Sequence, residues 1–261
     1  MSIDQSNSEV NRWIRSNTQR FSLCGLQQNS LWCAGADTPM VLASAQKVYT
    51  LYAFIHAFKE DFDILKAKVY IHELNKYYIS GTDNGAHERS LAADGFRASD
   101  INKKIPIDRI LVYMMRYSSN AAADFLTEKT ISKLSSSIGN SEGLVVPPLI
   151  STQIIQSEKR GKGVWYKNTT KNLAEMVRLL DAELLQNGLS AVSYFPIISK
   201  QNGILRGKKG NAPGHRAGAV VFIQKNHPPI YGAYSFHVPK DDGLSERIEA
   251  KLINMITNGP K

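Results

Sequence analysis

The sequence predicts an α+β fold: an antiparallel sheet flanked by helices, joined to a mostly helical lobe, with the functional site in the cleft between them. Three observations carry this. Residues 20–34, RFSLCGLQQNSLWCA, set aromatic and aliphatic residues on either side of a polar QQNS cluster, the pattern of two short strands about a turn. Residues 44–189 hold long runs with apolar positions at helical spacing. Residues 190–261 change character: YFPII, HRAGAVVFIQ and PIYGAYSFHV read as strands bounded by Gly, Pro and Asn, and LSERIEAKLINMI as a final amphipathic helix. The sheet lobe is expected from residues 1–43 and 190–261 and the helical lobe from 44–189. All lie within one domain, 1–261, because no Gly/Ser-rich, Pro-rich or low-complexity linker divides the chain.

In chain order, the first thirty residues hold no basic segment followed by an apolar run, and no stretch approaches the length of a membrane span. The protein is therefore expected to be cytoplasmic, or periplasmic or secreted if the N-terminus was trimmed, without a membrane span, and to open with β structure. If Gln28 and Asn29 form a two-residue turn, Cys24 and Cys33 fall opposite each other in a non-hydrogen-bonded pair, where a disulfide is geometrically allowed. In a cytoplasmic protein two unpaired core cysteines are the expectation. From Ser44 the run SAQKVYTLYAFIHAF is apolar at Val48, Leu51, Tyr52, Ile55 and Phe58, giving a buried helix with Ser44 in its first turn. Residues 67–79 suit a small hairpin. IDRILVYMMRY is helical as far as Ser118 and Ser119, and NAAADFLTEKTI begins a second helix, so Ser118 to Asn120 sit at a junction. Segment 139–168, rich in Gly, Pro, Ser and Lys, reads as a long surface loop, followed by a capped helix over NTTKNLAEMVRLLDAELLQNG that Gly188 closes.

Composition narrows the function. The chain is 43% hydrophobic and 21% charged, enough apolar material for a sizeable core. Its net charge of +9 does not indicate nucleic-acid binding, because Lys and Arg are scattered among 23 acidic residues and no nucleic-acid-binding signature appears. His72, His87, His227 and His237 have no metal-ligand spacing, and the two cysteines lie too far apart for a CxxC site; neither metal nor organic cofactor is expected.

Ser44-Ala45-Gln46-Lys47 is the only S-x-x-K in the chain. On a helix the i, i+3 spacing puts hydroxyl and amine on one face. A serine nucleophile needs a base, and a lysine serves when burial lowers its pKa toward neutrality, which the apolar flank VYTLYAF provides. Two further elements follow: Ser118-Ser119-Asn120 before a helix, and His215-Arg216-Ala217-Gly218 at the start of a strand. In this order, the three motifs resemble the S-x-x-K, S-D-N and K-T-G elements of the serine β-lactamase and penicillin-binding-protein superfamily, closest to its class A-like members. The resemblance extends over nearly the whole chain.

The resemblance implies a β-lactamase/DD-peptidase-like fold and an acyl-enzyme on Ser44. It implies that Lys47 relays the proton, Ser118 passes a proton to the leaving group and Asn120 binds the substrate amide. Arg216 takes the anion-binding place of the motif lysine, beside Ala217 and Gly218, and the N–H groups of Ser44 and Ala219 form an oxyanion hole. The departures are Ser119 for the motif aspartate, Arg216 for the lysine and Ala217 for the hydroxyl residue. The stretch LISTQIIQSEKRGKG has Ile154 and Ile155 near the place of the family's Ω-loop glutamate, and Glu142 and Glu158 are the nearby carboxylates. The basic run Arg206, Lys208, Lys209, His215 and Arg216 suits a positive rim for a carboxylate- or phosphate-bearing substrate, or a solvated loop. The expected function is a serine hydrolase or acyltransferase on an amide, ester or lactam of a small or peptide-like substrate, with weak or no β-lactamase activity. The alternatives are a catalytically reduced binding protein on the same fold and an authentic DD-peptidase or β-lactamase.

Overall fold

The computed structural model describes residues 3–136, 144–160, 165–189, 194–200, 203–239 and 242–259. The chain divides into two compact units: Met1–Ala45, Lys167–Arg178 and Ile197–Lys261 form the first, and Gln46–Tyr166 and Leu179–Pro196 form the second.

The first unit is built on a six-stranded antiparallel sheet. Its strands are β1 (Phe21–Gln27), β2 (Ser30–Ala34), β7 (Ile197–Ser199), β8 (Ile204–Ala212), β9 (His215–Ile223) and β10 (Ile230–His237), in the order β2-β1-β10-β9-β8-β7. Successive side chains on a strand point to opposite faces. One face collects Phe21, Leu23, Leu205, Val220, Phe222, Tyr234 and Phe236, covered by α1 (Ile3–Ser16) through Val10, and by the C-terminal helix α9 (Asp242–Asn258) through Ile248, Leu252 and Ile256. The other face carries the short pair β3 (Met40–Val41) and β6 (Lys167–Asn168), and the first turns of α8 (Thr170–Gln186). Thr169 Oγ1 accepts the Asn172 N–H at the start of α8, and Gly188, at φ +68°, follows its end, as the capping pattern predicts.

In the second unit, α2 (Lys47–Ala57) is buried except along Tyr52, His56 and Ala57, which are half-buried, and α6 (Asn120–Ser136) packs along it. Around them lie α3 (Ile71–Asn75), α4 (Ala86–Ala92), α5 (Ile107–Val112), α7 (Ile150–Arg160) and the pair β4 (Lys68–Tyr70) with β5 (Lys104–Pro106). The α5 helix loosens into a π-helical turn, Tyr113–Tyr117, before the junction with α6.

Several expectations are corrected. The chain opens with α1, not with a strand. Residues 67–79 form β4 and α3, because β4 finds its partner in β5 rather than in the adjacent chain. Within 139–168, α7 and β6 replace a structureless loop; Glu142 lies outside the described residues. The basic stretch before His215 is β8, a full strand. Cys24 and Cys33 are joined in a disulfide, with the register the two-residue turn requires: Gln27 opposite Ser30 and Cys24 opposite Cys33. Among the described residues no helix is long and apolar enough to cross a membrane.

Candidate active site

Ser44 belongs to the first unit. Val41 ends β3, and the chain then turns sharply. Ala43 adopts φ +46°, a left-handed conformation unfavourable for a residue with a side chain, and a 3-10 turn, Ala43–Gln46, begins there. The Ala45 N–H donates to Leu42 O at 2.9 Å, and Ser44 is half-buried.

Facing this turn is Gly210 of β8. A methyl group there would stand 2.4 Å from the Ser44 nitrogen and 2.7 Å from that of Ala45, so only glycine lets the strand lie against the serine backbone. Two positions back, Lys208 lies on the same face and is 3% exposed. Lys208-Lys209-Gly210 thus has a lysine and a glycine two apart on the strand that meets Ser44. The sequence carried this signal, a Lys-x-Gly on a strand, but β8 was not legible as one.

β9 lies one strand further from Ser44. Arg216 is opposite Asn211, and Gly218 is opposite Lys209. Alternation puts both on the α9 face, where Arg216 lines a pocket of about 720 Å³ with Lys209, Glu249 and residues of α9. Lys209 pairs with Glu249 there at 2.9 Å. A Cβ at Gly218 would enter the ring of Tyr234, so this glycine makes room for packing. Ala217 and Ala219 lie on the Ser44 face, buried opposite Gly210 and Lys208.

The ladder also fixes the backbone donors. The Val238 N–H donates to Gly214 O, so even-numbered residues of β9 bond to β10 and odd-numbered ones to β8. The Ala219 N–H is therefore committed to β8 and unavailable to an oxyanion, which corrects the expectation for that residue. By the same parity the Asn211 N–H of β8 points away from β9. Among the described residues β7 pairs with Arg206 and Leu205 and with no residue of β8 nearer Asn211.

In the second unit, Lys47 is the first residue of α2, three residues along the chain from Ser44. It is fully buried, and its ammonium donates to Ser118 O at 2.8 Å, Ser118 Oγ at 3.2 Å and Asn120 Oδ1 at 2.7 Å. The structure thus brings together three of the expected residues. Burial lowers the Lys47 pKa to about 7, against the opposing pull of the Asp124 and Asp83 carboxylates. Ser118 follows the π-helical turn at φ +69°, a second strained non-glycine residue, beside the Lys47 amine. Ser119, which stands where the motif has aspartate, accepts the Ala122 N–H at 3.2 Å and caps α6.

Asp124, one turn into α6 and 1% exposed, escaped the sequence reading because it sits inside an apolar helix. Its carboxylate accepts the N–H groups of Ile150 at 2.6 Å and Ser151 at 2.9 Å, tying down the first turn of α7. On α7, Gln153 is buried: its amide nitrogen donates to Gln46 Oε1 and to Pro148 O, and its oxygen accepts the Tyr166 N–H. Ile155 and Glu158 are exposed on the same helix. The residue that α7 turns inward beside the S-x-x-K segment is therefore an amide. Among the described residues no cluster of three metal-ligating side chains occurs.

The arrangement of sheet and helices matches solved structures closely. A class A β-lactamase from Mycobacterium abscessus aligns with a TM-score of 0.60 and 14% identity, covering 97% of this chain and all of that one. One from Bacteroides cellulosilyticus gives 0.65 and 13%, covering 98% and 96%. The TLA-1 extended-spectrum β-lactamase gives 0.66 and 14%, covering 99% of each. The fold is that of the class A β-lactamases. No family model and no curated protein matches the sequence, so the likeness lies in the class A β-lactamase architecture.

Proposed function

We propose that the protein is a serine hydrolase or acyltransferase that works through an acyl-enzyme on Ser44. The observation that carries this reading is Lys47: a fully buried amine with its pKa near 7, one turn from a serine whose backbone is pressed against a glycine. A lysine with an ordinary pKa is protonated at neutral pH and cannot accept a proton. One held near 7 is half neutral there and serves as a general base. Ser44 Oγ attacks the acyl carbon of an amide, ester or lactam while its proton passes to the Lys47 amine. The Ser44 and Asn211 N–H groups stabilise the oxyanion, with Asn211 in the place first expected of Ala219. Ser118, bonded to Lys47, returns the proton to the leaving group, and Asn120 binds the substrate amide. Lys208 supplies the positive charge expected of the third motif, the role first given to Arg216.

Hydrolysis of the acyl-enzyme is the weak step. An amide has no basic lone pair strong enough to activate water, so Gln153 cannot act as a general base, and such assistance contributes roughly a hundred- to ten-thousand-fold. Acylation without rapid turnover follows, and with it weak or no β-lactamase activity. The disulfide supports an oxidising compartment over a cytoplasmic one. The test is time-resolved intact-mass spectrometry with excess penicillin, and with a fluorophosphonate, on the wild type, Ser44→Ala and Lys47→Ala. A persistent adduct on the wild type alone is expected. Equal labelling of Lys47→Ala and wild type overturns the mechanism, and fast penicillin turnover without an adduct overturns the reading of the weak step.

A further inference from the structure

The basic run that the sequence suggests as a positive rim is dispersed by the fold. Lys209 pairs with Glu249, and Arg216 joins it on the α9 face. Alternation keeps Arg206 and Lys208 on the Ser44 face of β8, and His215 turns to that face at the end of β9, where it meets basic residues from distant parts of the chain.

His215 stands directly opposite His237 of β10, and their ring centroids are 4.3 Å apart. Because Gly214 and Val238 form the neighbouring hydrogen-bonded pair, His215 and His237 are a non-hydrogen-bonded pair, the kind in which side chains stand closest. The His237 N–H donates to Arg20 O, which extends the row across the sheet to the residue before β1. Lys167 comes from β6, opposite Val41, and Val41 O accepts the hydroxyl of Ser235, two residues before His237. The charges acting on the rings are positive: Lys167 on both, Arg20 on His237, and His237 on His215 once it is protonated. Among the described residues, His215 Nδ1 is buried without a hydrogen-bond partner. His215 lies two residues along β9 from Ala217 and one strand from Gly210, about 8 Å from the strand position that meets Ser44, and His237 and Arg20 follow one and two strands further across the sheet.

We infer that Arg20, Lys167, His215 and His237 form an anion subsite that receives a carboxylate or phosphate carried by the acyl donor of Ser44. The identity of that donor rests on the function proposed above; the anion site itself does not. Two facing imidazoles also suit a transition-metal ion, but the adjacent ammonium and guanidinium oppose a cation and favour an anion. Burial and the neighbouring positive charges lower both histidine pKa values, which keeps the rings neutral until an anion arrives and draws protons onto them.

The experiment follows the imidazole resonances of the full chain by NMR, assigned with His215→Gln and His237→Gln, through pH titrations with inorganic phosphate alone, acetate alone, or neither. Expected is a rise in the titration midpoints of both rings with phosphate, acetate or both, abolished in Arg20→Gln/Lys167→Gln. Which anion acts separates a phosphate donor from a carboxylate one. No midpoint shift with either anion, or the same shift in the double variant, overturns the subsite. A parallel measurement compares Ser44 acylation by an activated ester bearing a distal carboxylate with that by its neutral counterpart. The ratio of the two rates should fall about tenfold in the double variant, the worth of a hydrogen bond to a charged group, and an unchanged ratio overturns the link to the donor. If Ser44 is not acylated at all while the midpoints still shift, the proposed function fails and the anion site stands.

Discussion

Lys47 is a charged group held where charge is costly, and its behaviour with pH follows from that. Below about 7 the amine is protonated and cannot act as a base; above it the neutral form prevails. Fluorophosphonate labelling of Ser44 should therefore rise with pH through about 7 and level off, whereas a base with an ordinary lysine pKa would keep it rising through pH 9; a stopped-flow rate profile separates the two. Gly210 offers a second test. Its missing side chain is the space in which the Ser44 backbone lies, so Gly210→Ala should force β8 and the serine turn apart and reduce labelling at least tenfold. Its cost in stability should be the 1–3 kcal/mol typical of overpacking, read from a denaturant melt. Ser118 and Asn120 entered through the resemblance alone, whereas the pairing of Ser44 with Lys47 was legible, because spacing along the chain carries it. Arg216 was not, since a one-residue step along a strand reverses the face, and the sequence gives no marker for which face meets Ser44.

Between elements, the carboxylate of Asp124 is the tie from α6 to α7. It accepts two N–H groups that begin a helix and have no partner within it. Asp124→Ala leaves these amides unsatisfied at a buried site, at a cost of about 1–3 kcal/mol. Hydrogen exchange over residues 150–160 should accelerate in that variant while exchange in β9 and β10 stays unchanged; uniform acceleration would mean that Asp124 supports the fold at large. The α7 helix was hard to foresee because its flanks are rich in Gly, Pro and Lys and its apolar positions are few. Its start is set by a residue 26 positions earlier in the chain, beyond any local pattern. β8 was hidden for a related reason. RGKKGNA has the composition of a loop, and it is a strand because β9 offers a continuous ladder beside it.

For the whole molecule, buried Lys47 ties stability to pH. The unfolded chain binds its proton below the ordinary value of 10.5, the native chain only below about 7, so over that interval the unfolded state holds more protons and stability rises with pH. The difference in unfolding free energy between wild type and Lys47→Met should shift in favour of the wild type as pH climbs from 7 to 10, and a constant difference would refute the linkage. The α+β order and the antiparallel sheet could be read from residues 20–34 and 190–261, whereas α1 and the bonding of Cys24 to Cys33 could not: a two-residue turn sets the cysteines opposite each other but says nothing of their oxidation. That bridge has a further consequence. β2 is the outermost strand, joined to the sheet through β1 alone, and the disulfide staples its far end. Reduction should let β2 peel away and bare the backbone of β1, a template on which another chain can add a strand. Mild reductant is thus expected to convert the protein into concentration-dependent assemblies rather than to unfold it. Light scattering that grows in dithiothreitol while far-ultraviolet dichroism holds would mark the bridge as a guard against aggregation.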